Sequence, residues 1–70
     1  MRPNGQAIRA FRLARNVSIR QMEAQTGLNR GYLSRLERGR IRDTSVDKVQ
    51  RVATVLDISP DLLELKEKTP

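Results

Sequence analysis

At 70 residues the chain has room for one small domain with a thin hydrophobic core. It contains neither Cys nor His, which excludes disulfides, thiolate nucleophiles, imidazole bases and the common zinc sites. We therefore expect no metal, no cofactor and no enzymatic activity. The formal net charge of +6 is uneven, because residues 1–42 carry ten Arg against two Glu, whereas residues 43–70 carry four cations against six acids. This asymmetry indicates a polyanion partner for the first part of the chain, with a generic solubilising surface as the alternative.

The sequence shows no sign of export or membrane insertion. Its apolar runs are all shorter than the ~20 residues that a transmembrane helix needs. Its first residues lead into an Ala- and Arg-rich segment rather than into the apolar core of a signal peptide. We therefore expect the protein in the cytoplasm.

Capping and turn residues divide the chain into five predicted helices. The first is capped by Asn4, runs to about Arg15 and ends at Asn16, a residue type that tolerates the left-handed conformation. Its apolar side chains recur at helical spacing and predict a buried stripe made of Ala7, Ile8, Ala10, Phe11 and Ala14.

The second helix has a clear start signal. The Ser18 hydroxyl is placed to accept from the backbone N–H of Gln21 while the Gln21 side chain reaches back, which is the pattern of a capping box. We therefore expect a helix that begins at Ile19, buries Ile19 and Met22 and stops at Gly27.

A third helix follows after only two intervening residues. Asn29 is its predicted N-cap, and it spans residues 30–38 with Leu33 and Leu36 facing inward, before Gly39. Two short helices separated by a Gly-containing turn, the second with Arg on its exposed face, have the outline of a helix-turn-helix. A generic helical bundle shares this outline, so the outline alone does not decide the function.

Two further helices are predicted after a polar stretch at residues 40–44. The fourth begins within residues 44–47 and presents a wide apolar face made by Val46, Val49, Val52, Ala53 and Leu56. The fifth is opened by Ser59-Pro60-Asp61, with a hydrophobic staple between Ile58 and Leu63. We expect one domain over residues 1–66, with a frayed tail at residues 67–70.

The helix-turn-helix region carries a specific resemblance. The run from Val17 to Gly39 resembles the signature of the Xre, or Cro/cI-type, repressor family in its central Gly27, its Leu33-Ser34 pair and its Glu37-Arg38-Gly39 ending. Residues 52–58 resemble the family's fourth helix, so the similarity covers residues 5 to 65. The resemblance implies an all-α, compact five-helix lambda-repressor-like DNA-binding fold, in which helix two lies over the DNA backbone and helix three enters the major groove.

The resemblance also implies which side chains meet DNA. Base readout falls to the third helix, on Arg30, Gly31, Tyr32, Ser34 and Arg35. Arg35 is the strongest candidate, because a groove-facing Arg donates two hydrogen bonds to guanine O6 and N7. For Tyr32, packing at the edge of the helix is the alternative. Phosphate contacts are implied at Ser18, Arg20, Arg38, Arg40 and Arg42, with a solvated surface position as the alternative for each Arg.

Two charged residues occupy inward positions of the predicted helices. Arg12 comes four residues after Ile8 on the first helix, and Glu37 comes four residues after Leu33 on the third. An unpaired buried charge is costly, so we expect the two to form a structural ion pair, which the family resemblance also implies. Such a pair would set the tilt of the third helix.

Three positions depart from the family pattern. Glu23 stands where Ala is usual, facing the third helix. It either pairs with Arg20 or with an Arg of the third helix, orienting that Arg for readout, or is a tolerated edge residue. Ile19 replaces a Gln that often contacts phosphate, and Asp43-Thr44 replaces a frequent Pro in the loop before the fourth helix.

The surplus of apolar residues in the second part of the chain, residues 43–70, predicts a homodimer. Its apolar side chains exceed what two short helices bury, and we expect part of the surplus to form an isologous contact, at Val55, Ile58, Leu62 and Leu65. A dimer would read a two-fold operator in double-stranded DNA, with half-sites about one helical turn apart.

The predicted function is therefore a sequence-specific transcriptional regulator, most simply a repressor, of prokaryotic, phage or plasmid origin. One alternative is an antitoxin with the same fold, which would bind a toxin protein as well as its operator. The other is a protein-interaction module without DNA affinity, which a binding assay at low salt would distinguish.

Overall fold

Four α-helices and one short 3-10 turn make up the computed structural model, which describes residues 1–66. The helices are α1 (Gly5–Ala14), α2 (Ile19–Thr26), α3 (Arg30–Glu37) and α4 (Val46–Leu56), and the 3-10 turn spans Pro60–Leu63. The all-α class is confirmed. Among the described residues, no helix is long and apolar enough to cross a bilayer. The tail predicted at residues 67–70 lies outside the described part of the chain.

The polar residues before the α-helices act as N-caps, as their positions predict. Asn4 Oδ1 accepts a hydrogen bond from the Ala7 N–H at 3.1 Å, and both halves of the Ser18–Gln21 capping box are formed, at 2.8 and 3.1 Å. Residues with a positive φ follow the helix ends, at Asn16, Gly27, Gly39 and Asp57. Local sequence therefore determines where these helices begin and end.

The core is formed by apolar side chains from every helix. It also includes one residue of the α2–α3 turn and one of the 3-10 turn. These buried residues are Ile8, Met22, Leu28, Leu33, Leu36, Val49, Val52, Ala53, Leu56 and Leu63. Val46, predicted on the buried face of the fourth helix, is instead 55 % exposed, because it is the first residue of α4 and lies at the surface, in an open hollow beside Pro60.

The buried side of α1 differs from the predicted stripe. Its buried residues are Gly5, Ile8 and Arg12, whereas Ala10 and Ala14 are exposed. The inward line of α1 thus has helical spacing but contains a Gly and an Arg, which a search for apolar residues passes over.

The segment predicted as a fifth α-helix forms only the 3-10 turn. The start of the chain pairs antiparallel with residues 63–65, where this turn ends: the Asn4 N–H donates to the Leu63 carbonyl at 2.7 Å, and the Leu65 N–H donates to the Arg2 carbonyl at 2.9 Å. Glu64 between them is extended, with φ −94° and ψ 130°. Backbone groups that a longer helix would use are engaged across the chain, so the helix cannot continue.

The backbones of α1 and α3 are in direct contact at Gly5. A Cβ atom on Gly5 would meet the carbonyl oxygens of Leu36 and Glu37, the second at 2.8 Å. A side chain larger than hydrogen does not fit there without a backbone shift. Direct backbone contact therefore sets the distance between the start of α1 and the end of α3.

Replacing Gly5 by Ala tests this contact. Ala is the better helix former by about 1 kcal/mol, so propensity alone would stabilise the variant. We expect the free energy of unfolding to fall instead, by about 1–3 kcal/mol, because the added methyl group overpacks a closed site. Urea or thermal unfolding measures the change, and the exposed Gln6→Ala on the same helix should stay within about 0.5 kcal/mol of the parent.

Candidate nucleic-acid interface

The turn between α2 and α3 is held by its own hydrogen bonds. The buried Thr26 donates from Oγ1 to the Met22 carbonyl at 2.5 Å and accepts from the Leu28 N–H at 3.1 Å. Gly27 adopts a φ of 77°, which ends α2 and which residues with a Cβ disfavour. Because Leu28 is buried beneath the turn, α2 and α3 pack as one unit.

A buried ion pair joins α1 to the end of α3. Arg12 Nε and Nη2 donate to Glu37 Oε2 and Oε1 at 2.6 and 3.0 Å, and Arg12 Nη1 donates to the Val17 carbonyl at 2.9 Å. The two side chains are only 11 and 6 % exposed. The planar guanidinium matches the carboxylate with two parallel hydrogen bonds, so the pair holds α3 in one orientation relative to α1.

The exposed face of α3 carries most of the candidate base-reading residues. Arg30, Gly31 and Arg35 are exposed, and Ser34 is half-buried. Within residues 1–66, no carboxylate lies in ion-pairing range of Arg35. Its guanidinium is therefore available to an external partner.

Tyr32 is turned toward α4. It is half-buried, its hydroxyl lies 2.6 Å from Thr44 Oγ1, and the Lys48 ammonium lies 4.8 Å from the centre of its ring. These contacts agree with the alternative prediction for Tyr32, packing at the edge of the helix. They hold α3 against the loop that precedes α4.

The candidate phosphate-binding residues lie at the start of α2 and in the loop after α3. All of them are exposed: Ser18, Arg20, Arg38, Arg40 and Arg42. In the described part of the chain, none of these four Arg has an acidic partner within 4.0 Å. Arg38 and Arg42 also line an open groove between α1 and α3, together with Arg9. No motif marks Arg9, because only the packing of α1 against α3 brings it to this groove.

Glu23 bridges α2 and α3 across the turn. Its Oε2 accepts from the backbone N–H of Arg30 at 2.8 Å, and its Oε1 lies 3.4 Å from Arg30 Nε. Of the alternatives predicted for Glu23, the structure contains the pairing with an Arg of the third helix, Arg30. The hydrogen bond to the backbone of α3 has no signal in the sequence, because the two residues belong to different helices.

The loop after α3 is tied to the first residue of the chain. The Met1 ammonium donates to Asp43 Oδ1 at 2.6 Å and to the Thr44 carbonyl at 3.1 Å, and the Thr44 N–H donates to the Met1 carbonyl at 2.9 Å. The ammonium hydrogen-bonds to the Asp43 carboxylate and attracts it electrostatically, which lowers the pKa of Asp43. The stabilisation is therefore present above the ordinary Asp pKa and is lost as the pH falls through the lowered pKa.

A helix-turn-helix family model matches residues 8–63. The chain belongs to the Xre-type helix-turn-helix family. Family membership confirms the resemblance carried by the run from Val17 to Gly39. An uncharacterized HTH-type transcriptional regulator of Mycobacterium tuberculosis is 36 % identical over 62 residues, which cover 89 % of this chain and 44 % of that protein. The chain thus matches less than half the length of this relative.

Solved structures of the family share the fold. The restriction-modification controller protein C.AhdI from Aeromonas hydrophila is 36 % identical with a TM-score of 0.76, covering 83 % of this chain and 86 % of that one. The N-terminal DNA-binding domain of SinR from Bacillus subtilis is 31 % identical with a TM-score of 0.79, covering 91 % and 94 %. A crystal structure of SinR in complex with DNA has a TM-score of 0.77 at 30 % identity, covering 81 % and 90 %.

Replacing Glu37 by Ala tests the buried ion pair. We expect the free energy of unfolding to fall by about 3–5 kcal/mol, because Arg12 would remain buried without its partner. Thermal unfolding should show a clearly lower melting temperature, and an unchanged one would contradict the structural role. Asp47→Ala is the control: it removes an exposed carboxylate 3.0 Å from Arg51 Nε and should cost less than about 1 kcal/mol.

Proposed function

We propose that residues 1–66 act as one DNA-binding domain of a transcriptional repressor that recognises a specific sequence in double-stranded DNA. The observation that carries this proposal is the set of exposed arginines without acidic partners, within the described residues, around the outer face of α3. A helix-turn-helix places its second helix in the major groove and its first across the DNA backbone. The likeness to SinR in complex with DNA supports the same placement of α3 and α2. Such a repressor would act in the cytoplasm of a bacterium or of a phage or plasmid host.

Arg35 is the proposed principal base reader. It is exposed on the face of α3 that points away from the core, and its guanidinium has the geometry for two hydrogen bonds to guanine. Arg30 reads from the start of the helix and Ser34 from its edge. Gly31 allows the backbone of α3 to approach the bases closely, because it has no side chain. Tyr32 contributes through its exposed edge while its hydroxyl stays bound to the loop.

The proposed phosphate contacts flank the reading face on both sides. Phosphate contacts position a protein on the duplex without reading its sequence, and Arg provides them from exposed positions. They come from the start of α2, at Ser18 and Arg20, and from the loop after α3, at Arg38, Arg40 and Arg42.

We further propose a homodimer on a two-fold operator. Leu62 and Leu65 are 52 and 41 % exposed, and Val55 and Ile58 beside them in the sequence are half-buried. This apolar edge belongs to the part of the chain in which acids outnumber cations, which favours contact between two copies there, although Leu65 at its end also lines the groove that carries Arg9, Arg38 and Arg42. Joined at this edge, two copies would present two α3 helices to one operator.

Arg35→Ala and Arg40→Ala separate base readout from phosphate binding. Both residues are exposed Arg, so each variant loses the same charge. Selection from random DNA should show that Arg35→Ala loses about 1–3 kcal/mol of preference at one base pair of each half-site. Arg40→Ala should weaken all sequences alike and lower the slope of log K against log salt by about one.

Two results would contradict these assignments. Equal losses on every sequence for both variants would remove Arg35 from base readout. A parent protein without DNA affinity at low salt would leave the interaction module as the function.

Leu62→Ser tests the dimer contact. Leu13 on α1 is also 52 % exposed, so Leu13→Ser is a matched control for the loss of surface apolar area. Sedimentation equilibrium should show Leu62→Ser shifted toward the monomer and Leu13→Ser unchanged from the parent. A parent protein that is monomeric both alone and on operator DNA would reject the dimer.

A further inference from the structure

Arg30 differs from the other arginines proposed to contact DNA. Among residues 1–66, it is the only one of that set with an acidic partner, the carboxylate of Glu23. Glu23 lies on α2, outside the recognition helix, and is half-buried against it. A base-reading candidate is thus held by a residue of the neighbouring helix.

The two oxygens of Glu23 do different things. Oε2 accepts the backbone N–H of Arg30 at 2.8 Å, which anchors the carboxylate to the first residue of α3. Oε1 then lies 3.4 Å from Arg30 Nε. Among the described residues, no acceptor takes a hydrogen bond from Arg30 Nη1 or Nη2, so the edge of the guanidinium formed by these two atoms is left for an external acceptor. This edge carries two parallel N–H donors, the arrangement that guanine O6 and N7 accept.

The charge of Glu23 also affects which DNA group Arg30 binds. A phosphate that approaches Arg30 would come close to the Glu23 carboxylate and be repelled, whereas a base edge carries no net charge. Phosphate contacts hold no sequence information and base contacts do. The pair therefore favours the base over the phosphate as the partner of Arg30.

We infer that Glu23 is a positioning residue that determines operator preference through Arg30. This inference rests on the proposed role of Arg30 as a base reader. The Glu23 and Arg30 side chains are 38 and 53 % exposed. An ion pair this exposed contributes little to folding, so its removal changes recognition rather than stability.

Glu23→Gln is the test variant, because its amide oxygen can still accept from the Arg30 N–H while the charge is lost. In selection from random DNA, the preference at the base pair read by Arg30 should fall by about fivefold or more. The slope of log K against log salt should steepen by up to about one, because Arg30 becomes free to bind phosphate. The melting temperature should stay that of the parent.

Asp47→Asn is the matched control. It removes one negative charge from another exposed carboxylate–Arg pair, Asp47 Oδ2 to Arg51 Nε at 3.0 Å on α4. Both the base preference and the salt slope should stay those of the parent. A matching change in this variant would assign the effect to net charge and overturn the inference.

Arg30→Ala, alone and combined with Glu23→Gln, distinguishes the remaining outcomes. Arg30→Ala should lose the same preference, and adding Glu23→Gln should change nothing further. If Arg30→Ala loses the base preference while Glu23→Gln retains it, the inference about Glu23 fails and the role of Arg30 as a base reader stands. If Arg30→Ala keeps the preference, both fail. If Glu23→Gln still alters preference without Arg30, Glu23 contacts DNA directly and the positioning role is wrong.

Discussion

The ion pair between the Arg12 guanidinium and the Glu37 carboxylate is almost completely buried, and the position of the recognition helix, α3, depends on it. Helix α3 has eight residues, too few for a helix that is stable alone in water. Its orientation must come from its neighbours. The ion pair and the Gly5 contact hold its end against α1, while the α2–α3 turn holds its start. A third hydrogen bond, from Arg12 to the Val17 carbonyl, extends this anchor to the segment that leads into α2.

The same residue type serves two purposes in this chain, according to burial and partner. Arg12 is buried, is neutralised by Glu37 and belongs to the frame of the domain. The arginines around the outer face of α3 are exposed, and except for Arg30 they have no acidic partner in the described part of the chain. Positive charge is therefore left unneutralised on the surface that faces DNA in the proposed function, and not within the core.

Sequence predicts the parts of the structure that local rules determine. Helix starts are predicted correctly at Asn4 and at the Ser18–Gln21 pair, because the capping hydrogen bonds join residues that are only three positions apart. The partnership of Arg12 with Glu37 follows from helical spacing, since each falls on an inward line. Helical spacing also places Arg30 and Arg35 on the exposed side of α3.

What the sequence leaves open depends on contacts between distant segments. The pairing of the first residues with the last described ones turns an expected helix into a 3-10 turn, although Ser59-Pro60 is a sound helix start. The ammonium of Met1 reaches Asp43 across 42 positions. Glu23 departs from the family pattern, but only the packing of α2 beside α3 shows which partner it takes.

The backbone contact at Gly5 means that the packing of α1 against α3 does not depend on the side chains of the outer face of α3. Because main-chain atoms set the distance between α1 and α3, we expect substitutions of exposed residues such as Arg35 to leave the placement of α3 unchanged, whereas Tyr32 also holds α3 to the loop before α4. New side chains at such exposed positions would then recognise different operator sequences while the fold stays the same. The domain is modular in this sense, since specificity can diversify without a compensating change in the core.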